Sequence, residues 1–593
     1  MRNRKNSAAG PTEFDNGKNH KYRRRLLAAS SAVLLAAVIL TAAGGGFSGS
    51  LRNTVRGNDP LLRALIEREE TAYTEEYEKG GLLDDKSLYA LNRVGKVKVF
   101  LLEVHDKDGY DLTDFEKPEV SADLKLPATF KEGNSAGGPF FGGFGASAVA
   151  ENATLEIKGS PKENRKYHNF KIRLKASAGR YNGQSIINLD KEYGNSCRIE
   201  EKFAFDLFAG LDEMMSLRTE FAQLYIKNTA SPDPEYESYG LYILKEQPDE
   251  NYFLNRSLDE SGNLYRARSF DFTPGAGLLD VDDANYNKKQ FEELLDIKQG
   301  ESHTALLSMT ADVNDMARDI DSIVEEHFNR ENLLTYLAMN VILGNEESAA
   351  EGYLLYKPTT SAVWYILPED MGGTMQAAME PQRYQVMNSG LSQFSGNLLY
   401  ERFLQKPGNV EALADRIEEL MERIDPDAVR ELTDQYIPVL ADHLTVNPDR
   451  GMLKSSPDDI IRGVQNYYRV MLSNAEYFIE NLDRPEPVTL LRALSNDKEI
   501  VLHWQEQRAL LAEPVTYEIQ AAADSGFKEI IFEAAGAAET SIAVPKRLFA
   551  EGQSRAYFRV NAVSENGRTA GSTNILKQED GRQIYGAAEF TIA

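Results

Sequence analysis

Residues 344–373 read GNEESAAEGYLLYKPTTSAVWYILPEDMGG. They follow LLTYLAMNVIL (333–343), an apolar run of helical character. A polar, acidic cluster around Glu346, Glu347 and Glu351 comes next, then two strand-like segments, then a second acidic turn holding Glu369 and Asp370. The order helix, acidic loop, strand, short strand, acidic Gly turn points to a mixed body rather than a helical bundle.

Upstream of this stretch the strand signal dominates. VGKVKVFLLEV (94–104), NATLEIKGS (152–160), HNFKIRLKA (168–176), TEFAQLYIKN (219–228) and YGLYILKEQ (239–247) alternate or run apolar, while CRIEEKFAFDLFAGLDEM (197–214) is helical. Residues 316–344 predict one long helical region, with Ile320, Ile323, Val324 and Phe328 at helical spacing. Residues 409–481 return to helix, with Leu413, Ile417, Leu420 and Ile424 on one face. The fold class is therefore α+β over residues 94–482. DRPEPVTLLRAL (483–494) breaks the helix and opens an all-β module of alternating strands, EIVLHWQE, VTYEIQAA, TSIAV and AYFRVNAVSENGRTA, read as a small immunoglobulin-like sandwich over residues 485–593.

The N-terminus predicts a membrane address. In residues 1–25, eight basic residues against Glu13 and Asp15 make a formal +6, which leaves −32 of the total −26 for the remainder. Leu26–Ala43 is uncharged and apolar, at about the minimum length that spans a bilayer. The basic cluster before it places residues 1–25 in the cytoplasm and everything after the segment outside. It reads as one N-terminal transmembrane helix, with a cleaved secretion signal as the alternative. Residues 44–93 form a linker and a charged helix. The acidic excess argues against a nucleic-acid partner, which needs a basic face. Cys197 is the one cysteine, so neither an internal disulfide nor a CxxC metal site can form.

Familiar catalytic spacings are absent: no HExxH and no GxSxG. DVDDAN (280–285) is carboxylate-dense but lacks the Gly and Glu of a calcium loop, and reads as solvated. GNSAGGPFFGGFGASA (133–148) lacks the Lys of a phosphate-binding loop, and reads as a surface loop. Basic residues concentrate in 153–174, where Lys158, Lys171 and Arg173 lie on or beside two strands. Glu246 ends a mostly apolar strand, and Asp370 ends a short one in a Gly turn. Phosphoryl transfer uses such parts: a loop residue that receives the hydroxyl proton, and a carboxylate that holds Mg²⁺ against the phosphates.

Five segments in order resemble the CotH family, the spore-coat-protein-H-like atypical kinases. IKGSPKENRKYHNFKIRL is similar to the family's RGN/S-S segment and basic K-S-Y/F-x-I-K strand. EEKFAFDL resembles RNKLAYDL, and GLYILKEQ resembles G-x-Y-x-L-x-E. NYFL…SGNLYRA and LLTYLAMNVILGNEESAAEGYLLY…WYILPEDMG complete the set. The resemblance covers roughly residues 95–450. It implies an atypical protein-kinase-like body, ATP and Mg or Mn as cofactors, and transfer to Ser/Thr of extracytoplasmic envelope or spore-coat proteins. Carried over by position, Glu347 takes the catalytic loop Asp, Asp370 holds metal, Lys158, Lys171 or Arg173 faces the nucleotide phosphates, and Glu246 orients that basic group. The chain departs from the pattern at Gly352 (Asn in the family), Gly372 (the second Asp of WDLD) and Glu200-Glu201 (Arg-Asn). These departures imply an alternative, a pseudokinase that binds or scaffolds in the envelope or coat. The C-terminal module resembles a fibronectin type III domain, on Pro485, Pro487, Trp504, Tyr517 and YFRVNAVSENG, with Ala556 at the tyrosine-corner position.

Overall fold

Period-two patterning builds the first half of the body. The computed structural model describes residues 84–593 apart from 92–94, 122, 135–136, 139, 160–165, 192–198, 346–347, 376–389, 483, 506–513, 578–582 and 593. The basic tail 1–25, the apolar segment 26–43 and most of the linker 44–93 lie outside the described residues. Among those described, no helix is long and apolar enough to cross a membrane.

Strands β1 (Val97–Val104), β2 (Leu126–Gly133), β3 (Ala153–Ile157), β4 (Phe170–Leu174), β5 (Ile186–Asp190), β6 (Thr219–Asn228) and β7 (Glu237–Lys245) close into a barrel in the order β1-β2-β3-β4-β5-β7-β6. The ring is sealed by the parallel pair β1 and β6, with Val97 opposite Phe221. Alternate side chains fill it: Phe100, Phe130, Leu155, Ile172, Leu189 and Leu224 are all fully buried in one cluster. The intervening residues therefore point outward, and on β3, β4, β5 and β7 these include Glu156, Lys171, Arg173, Asn188, Asp190 and Lys245.

A second, antiparallel sheet has the order β11-β10-β8-β9, from β8 (Asn263–Ala267), β9 (Leu295–Gln299), β10 (Tyr353–Lys357) and β11 (Tyr365–Pro368). Helices pack around it: α1 (Glu200–Ala209), α2 (Arg330–Leu343), α3 (Pro407–Arg423), α4 (Pro426–Leu444) and α5 (Tyr467–Glu480). Helix α2 is apolar on nearly every side because it is the centre of this part, packed against α3, α5 and β11.

The long helix expected over 316–344 is broken. Ile320–His327 ends, Phe328 turns extended at φ −132°, ψ 149°, and α2 begins anew with the Asn329 side chain accepting from the Asn332 amide. The His327 carbonyl accepts from the Trp364 amide, and the Asn329 amide donates to the Trp364 carbonyl, so a bridge to the strand side replaces a helical turn. The helical stretch 409–481 is likewise segmented, with Pro407, Pro426 and Pro457 each starting a new helix.

One buried ion pair clasps the barrel to the helices. Lys191, just after β5, meets Asp449, which follows α4, at 2.8 Å, with both side chains 1% exposed. The Lys191 ammonium also donates to the carbonyls of Tyr239 and Leu241, and the second Asp449 oxygen accepts from the Leu241 amide at 2.8 Å. Gly240 sits at φ +81°, where a Cβ would lie 2.3 Å from that Asp449 oxygen, so only glycine fits.

The C-terminal region is β-rich, with strands β12 (Leu494–Ser495), β13 (Glu499–His503), β14 (Thr516–Ala522), β15 (Ile530–Ala537), β16 (Ser541–Pro545), β17 (Arg555–Val563), β18 (Thr569–Ala570), β19 (Ile575–Lys577), β20 (Gln583–Tyr585) and β21 (Ala588–Thr591). One sheet runs β12-β13-β16 and another β15-β14-β17-β18, with β21 also on β17. Both contribute to one apolar cluster, in which the Trp504 and Tyr517 rings meet at 5.3 Å.

Candidate active site

The outward face of β3, β4, β5 and β7 supplies one wall. Lys158, which follows β3, grips both oxygens of Asp190 at 2.7 and 2.6 Å. Lys245, the last residue of β7, contacts Glu201 of α1 at 2.5 Å, Asp190 at 3.3 Å and the Glu369 carbonyl at 3.5 Å. Each acceptor comes from a different element, so the Lys245 ammonium is where strand, helix and acidic turn converge. Burial works against that ammonium, yet Glu201, Asp190, Glu369 and Asp370 together push its pKa well above the ordinary lysine value. Burial raises Glu201 to about 7, with Asp370 and Asp190 adding to the rise and Lys245 opposing it. Lys158 and Lys245 outweigh burial at Asp190 and hold it below the usual carboxylate range.

The facing wall comes from the second sheet. The amides of Glu369 and Asp370 both donate to the Gly352 carbonyl, at 3.0 and 3.1 Å, which fixes the acidic turn after β11. Gly352 has φ +80°, a left-handed conformation that suits Gly and is tolerated by Asn. Glu369 is buried and paired with Arg266 of β8 at 2.9 Å. Asp370 accepts one hydrogen bond, from the Gly372 amide at 3.2 Å, and has no cation paired to it among the described residues.

Lys171 and Arg173 separate cleanly. Arg173 is 44% exposed and bound to Glu156 at 2.7 Å. Lys171 is half-buried and makes no ion pair among the described residues. Burial, with Arg173, Lys298 and Lys158 as like charges and Glu156 opposing, pushes its ammonium down to about 8. Lys298, on β9 of the second sheet, is near enough for its charge to act on Lys171.

Glu246 lies elsewhere. Its carboxylate is buried and holds Arg218 at 2.8 Å and Arg256 at 2.8 Å rather than Lys171 or Arg173. Burial raises its pKa, but the two guanidiniums win and hold it low. Arg256 in turn reaches Asp84 at 3.1 Å, so this knot ties the segment 84–91 to the barrel. Glu246 also lines a small open pocket with Tyr181, Gln184 and Glu220. Glu347, the expected catalytic-loop residue, and its neighbour Glu346 lie outside the described residues. Asp280 of DVDDAN accepts from the His303 amide and the Thr304 hydroxyl at the start of the helix Thr304–Asn314. The Gly-rich loop joins the end of β2 to the start of β3, whereas Lys158 follows the other end of β3. Its Phe144 packs on Phe130 and Tyr181.

Sequence reading missed Lys245 and Glu201. Position 245 is an open place in the strand pattern, and Glu201 looked like a charge reversal. Neither position carries a signal by itself, and only the contact between the end of β7 and α1 joins them.

The donor set fits one divalent ion. Asp370 offers a free carboxylate oxygen, and water or phosphate oxygens can complete the shell. Among the described residues, which leave out Glu346 and Glu347, it does not fit two. Asp190 and Glu201 are engaged by lysines, Glu369 by Arg266, and Gly352 and Gly372 have no side chain. Among the described residues, the one group of three side-chain ligands within 4.8 Å of one another is Asp312, Glu326 and His327, and Arg318 already pairs with both of its carboxylates.

No curated protein matches the chain. Among solved structures, the Shewanella oneidensis MR-1 toxin HipA, in complex with HipB and operator DNA, aligns at 14% identity and TM-score 0.25 over 57% of this chain and 66% of that one, just under two thirds. The Helicobacter pylori proinflammatory kinase CtkA aligns at 12% identity and TM-score 0.22 over 52% of this chain and 94% of that one. The family model for the CotH kinase protein matches residues 155–477, which contain every site residue described above. That match spans more than half of the sequence and runs from β3 through α5, so the chain belongs to the CotH kinase family.

Proposed function

We propose that this protein transfers a phosphoryl group from ATP to Ser or Thr hydroxyls of proteins outside the cytoplasmic membrane. The observation that carries this reading is the Lys245–Glu201 pair, strand to helix, set beside Asp370. Protein kinases hold a strand lysine with a helix glutamate in the same way and place a metal-binding Asp next to them. Asp370 would hold one Mg²⁺ or Mn²⁺, and the bound ion with its nucleotide would supply the activated phosphoryl group. Among the described residues of the barrel wall, Lys171 is a cation without an ion pair and would meet phosphate oxygens, with Lys158 beside it. Lys245, held charged by its acidic cage, contributes fixed positive potential without having to reorganise. Glu347 is the residue we assign as acceptor of the hydroxyl proton. The apolar segment 26–43 would tether the body outside the membrane, and the C-terminal β-rich region would serve as a fibronectin type III-like spacer or binding module.

A second reading is favoured by one observation, the loss of side-chain donors at Gly352 and Gly372: the site binds nucleotide or partner without turnover. Full-length protein titrated with ATP in Mg²⁺ or Mn²⁺ and assayed for autophosphorylation separates the two. Metal-dependent binding and labelling, both abolished by Asp370→Ala, are expected. Binding without labelling supports the second reading, and no binding with either metal refutes both nucleotide readings.

A further inference from the structure

We propose that the loop between β2 and β3 is a membrane-contacting tip, whose exposed phenylalanines sit in the headgroup layer of the bilayer that carries the tether. The inference rests on the tether assigned above to residues 26–43 and is independent of phosphoryl transfer.

The loop is apolar and held in place. Between Glu132 and Glu151 lie eighteen positions without a charge, in a chain that is 27% charged. Within them Phe141 is 97% exposed, Val149 99% and Phe140 48%. Adjacent aromatic side chains facing water mark a surface that another apolar phase would cover. Backbone bonds hold this part of the loop against β2. The Phe140 amide donates to the Glu132 carbonyl at 3.0 Å, and the Glu132 amide donates to the Phe144 carbonyl at 2.8 Å. Phe144 turns the other way and packs on the barrel interior, against Phe130 and Tyr181 at 5.8 and 5.7 Å. One phenylalanine thus anchors the loop while two are presented outward.

The loop shares an end of the barrel with the entry of the chain. Strands β1 and β6 begin where β2 stops, since Val97 lies opposite Phe221 and Val99 opposite Gly133. At this end Tyr181, which meets Phe144, precedes Asn182, whose carbonyl accepts from Arg218 at 3.1 Å. Arg218 holds Glu246, Glu246 holds Arg256, and Arg256 holds Asp84. Asp84 is therefore the point at which a tether ending at Ala43, 40 residues earlier, pulls on the body.

Charge selects the occupant. The chain carries −26, so a strongly anionic surface repels it, and the loop offers no charge to pair with an ionic partner. Zwitterionic headgroups over hydrocarbon ask only for apolar and aromatic side chains at the boundary.

The two native tryptophans are buried, Trp364 at 1% and Trp504 at 2% exposure. A third tryptophan therefore reports its own contact with lipid. Full-length Phe141→Trp, and as control full-length Asp233→Trp in the β6–β7 turn at the opposite end of the barrel, are bound to phosphatidylcholine vesicles with plain or brominated acyl chains. Emission above the wild-type baseline is expected to be quenched by the brominated lipid at least about threefold more at position 141 than at 233. The difference should persist at about 0.5 M salt, because the loop has no charge to screen. Equal quenching at the two positions, or quenching at 141 that salt abolishes, would overturn the proposal. A blue shift at 141 that grows with protein concentration in the absence of vesicles assigns the loop to a second copy of the chain and also overturns it. Protein that does not associate with vesicles refutes the tether together with this inference, whereas association without selective quenching at 141 refutes the inference alone.

Discussion

Asp449→Ala tests how the barrel is joined to the helical part. The substitution takes the Asp449 carboxylate away from the buried Lys191 ammonium, and loss of one partner of a buried pair costs about 3–5 kcal/mol in comparable sites. It also removes the acceptor of the Leu241 amide, worth about 1–3 kcal/mol. Lys191 keeps the Tyr239 and Leu241 carbonyls and the face of Tyr242, 4.6 Å away, which moves the expectation toward the low end. About 4 kcal/mol is therefore expected. Replacing both partners, Lys191→Met with Asp449→Leu, removes the stranded charge and should cost about 2 kcal/mol, mainly the unpaired amide. The chain has two tryptophans, Trp364 in the body and Trp504 in the C-terminal region. A Trp504→Phe background makes Trp364 fluorescence report the body alone in urea unfolding. With a slope of about 3 kcal/mol per molar, the single substitution should lower the midpoint by more than about 1 M. A loss below about 1 kcal/mol, or a double variant as unstable as the single one, would refute the reasoning.

Three further outcomes follow from the charges. Lys171, lowered to about 8, is charged below that pH and neutral above it. ATP affinity should therefore fall as pH rises through about 8 in the wild type and not in Lys171→Arg, read by calorimetry in buffers from pH 7 to 9. Glu246→Gln should destabilise the body by about 3 kcal/mol in the same urea assay, because it removes the charge shared by Arg218 and Arg256. Glu201 is raised from 4.5 to about 7, so its contribution to stability is fully present below pH 4.5 and is lost as pH climbs toward 7. That slope amounts to about 3 kcal/mol and should vanish in Glu201→Gln; an unchanged pH profile would count against it.

Alternation made part of the barrel legible, since Phe170-Ile172-Leu174 needed no tertiary knowledge to assign inward, whereas Leu241 to Leu244 are apolar throughout and give no face. It also gave Lys171 and Arg173 their outward direction. Closure of the ring did not show, because the β1–β6 pairing is parallel and depends on register 120 or more residues apart. The break at Phe328 was hidden for a related reason: its apolar side chain fits helical spacing, and what ends the helix is a backbone bridge to Trp364. The position of Asp370 in a Gly turn after a short strand was readable because it is a local feature. The placement of Glu246 was not, since its partners Arg218 and Arg256 lie on either side of it in sequence and are identified only by burial. Arg173 and Lys171 are equivalent on the strand, and the choice between them came from Glu156 on the neighbouring strand.

The Lys191–Asp449 clasp also sets a timetable. Its two halves are 258 positions apart. A chain that emerges N-terminus first, at roughly 5–20 residues per second, presents Lys191 about 13–50 seconds before Asp449 exists. During that interval the β6–β7 strands, with Gly240 shaped for a carboxylate not yet made, must wait. The barrel can form its apolar interior early, but its final anchoring belongs to the last third of the molecule, and truncation before residue 449 should leave it unclasped.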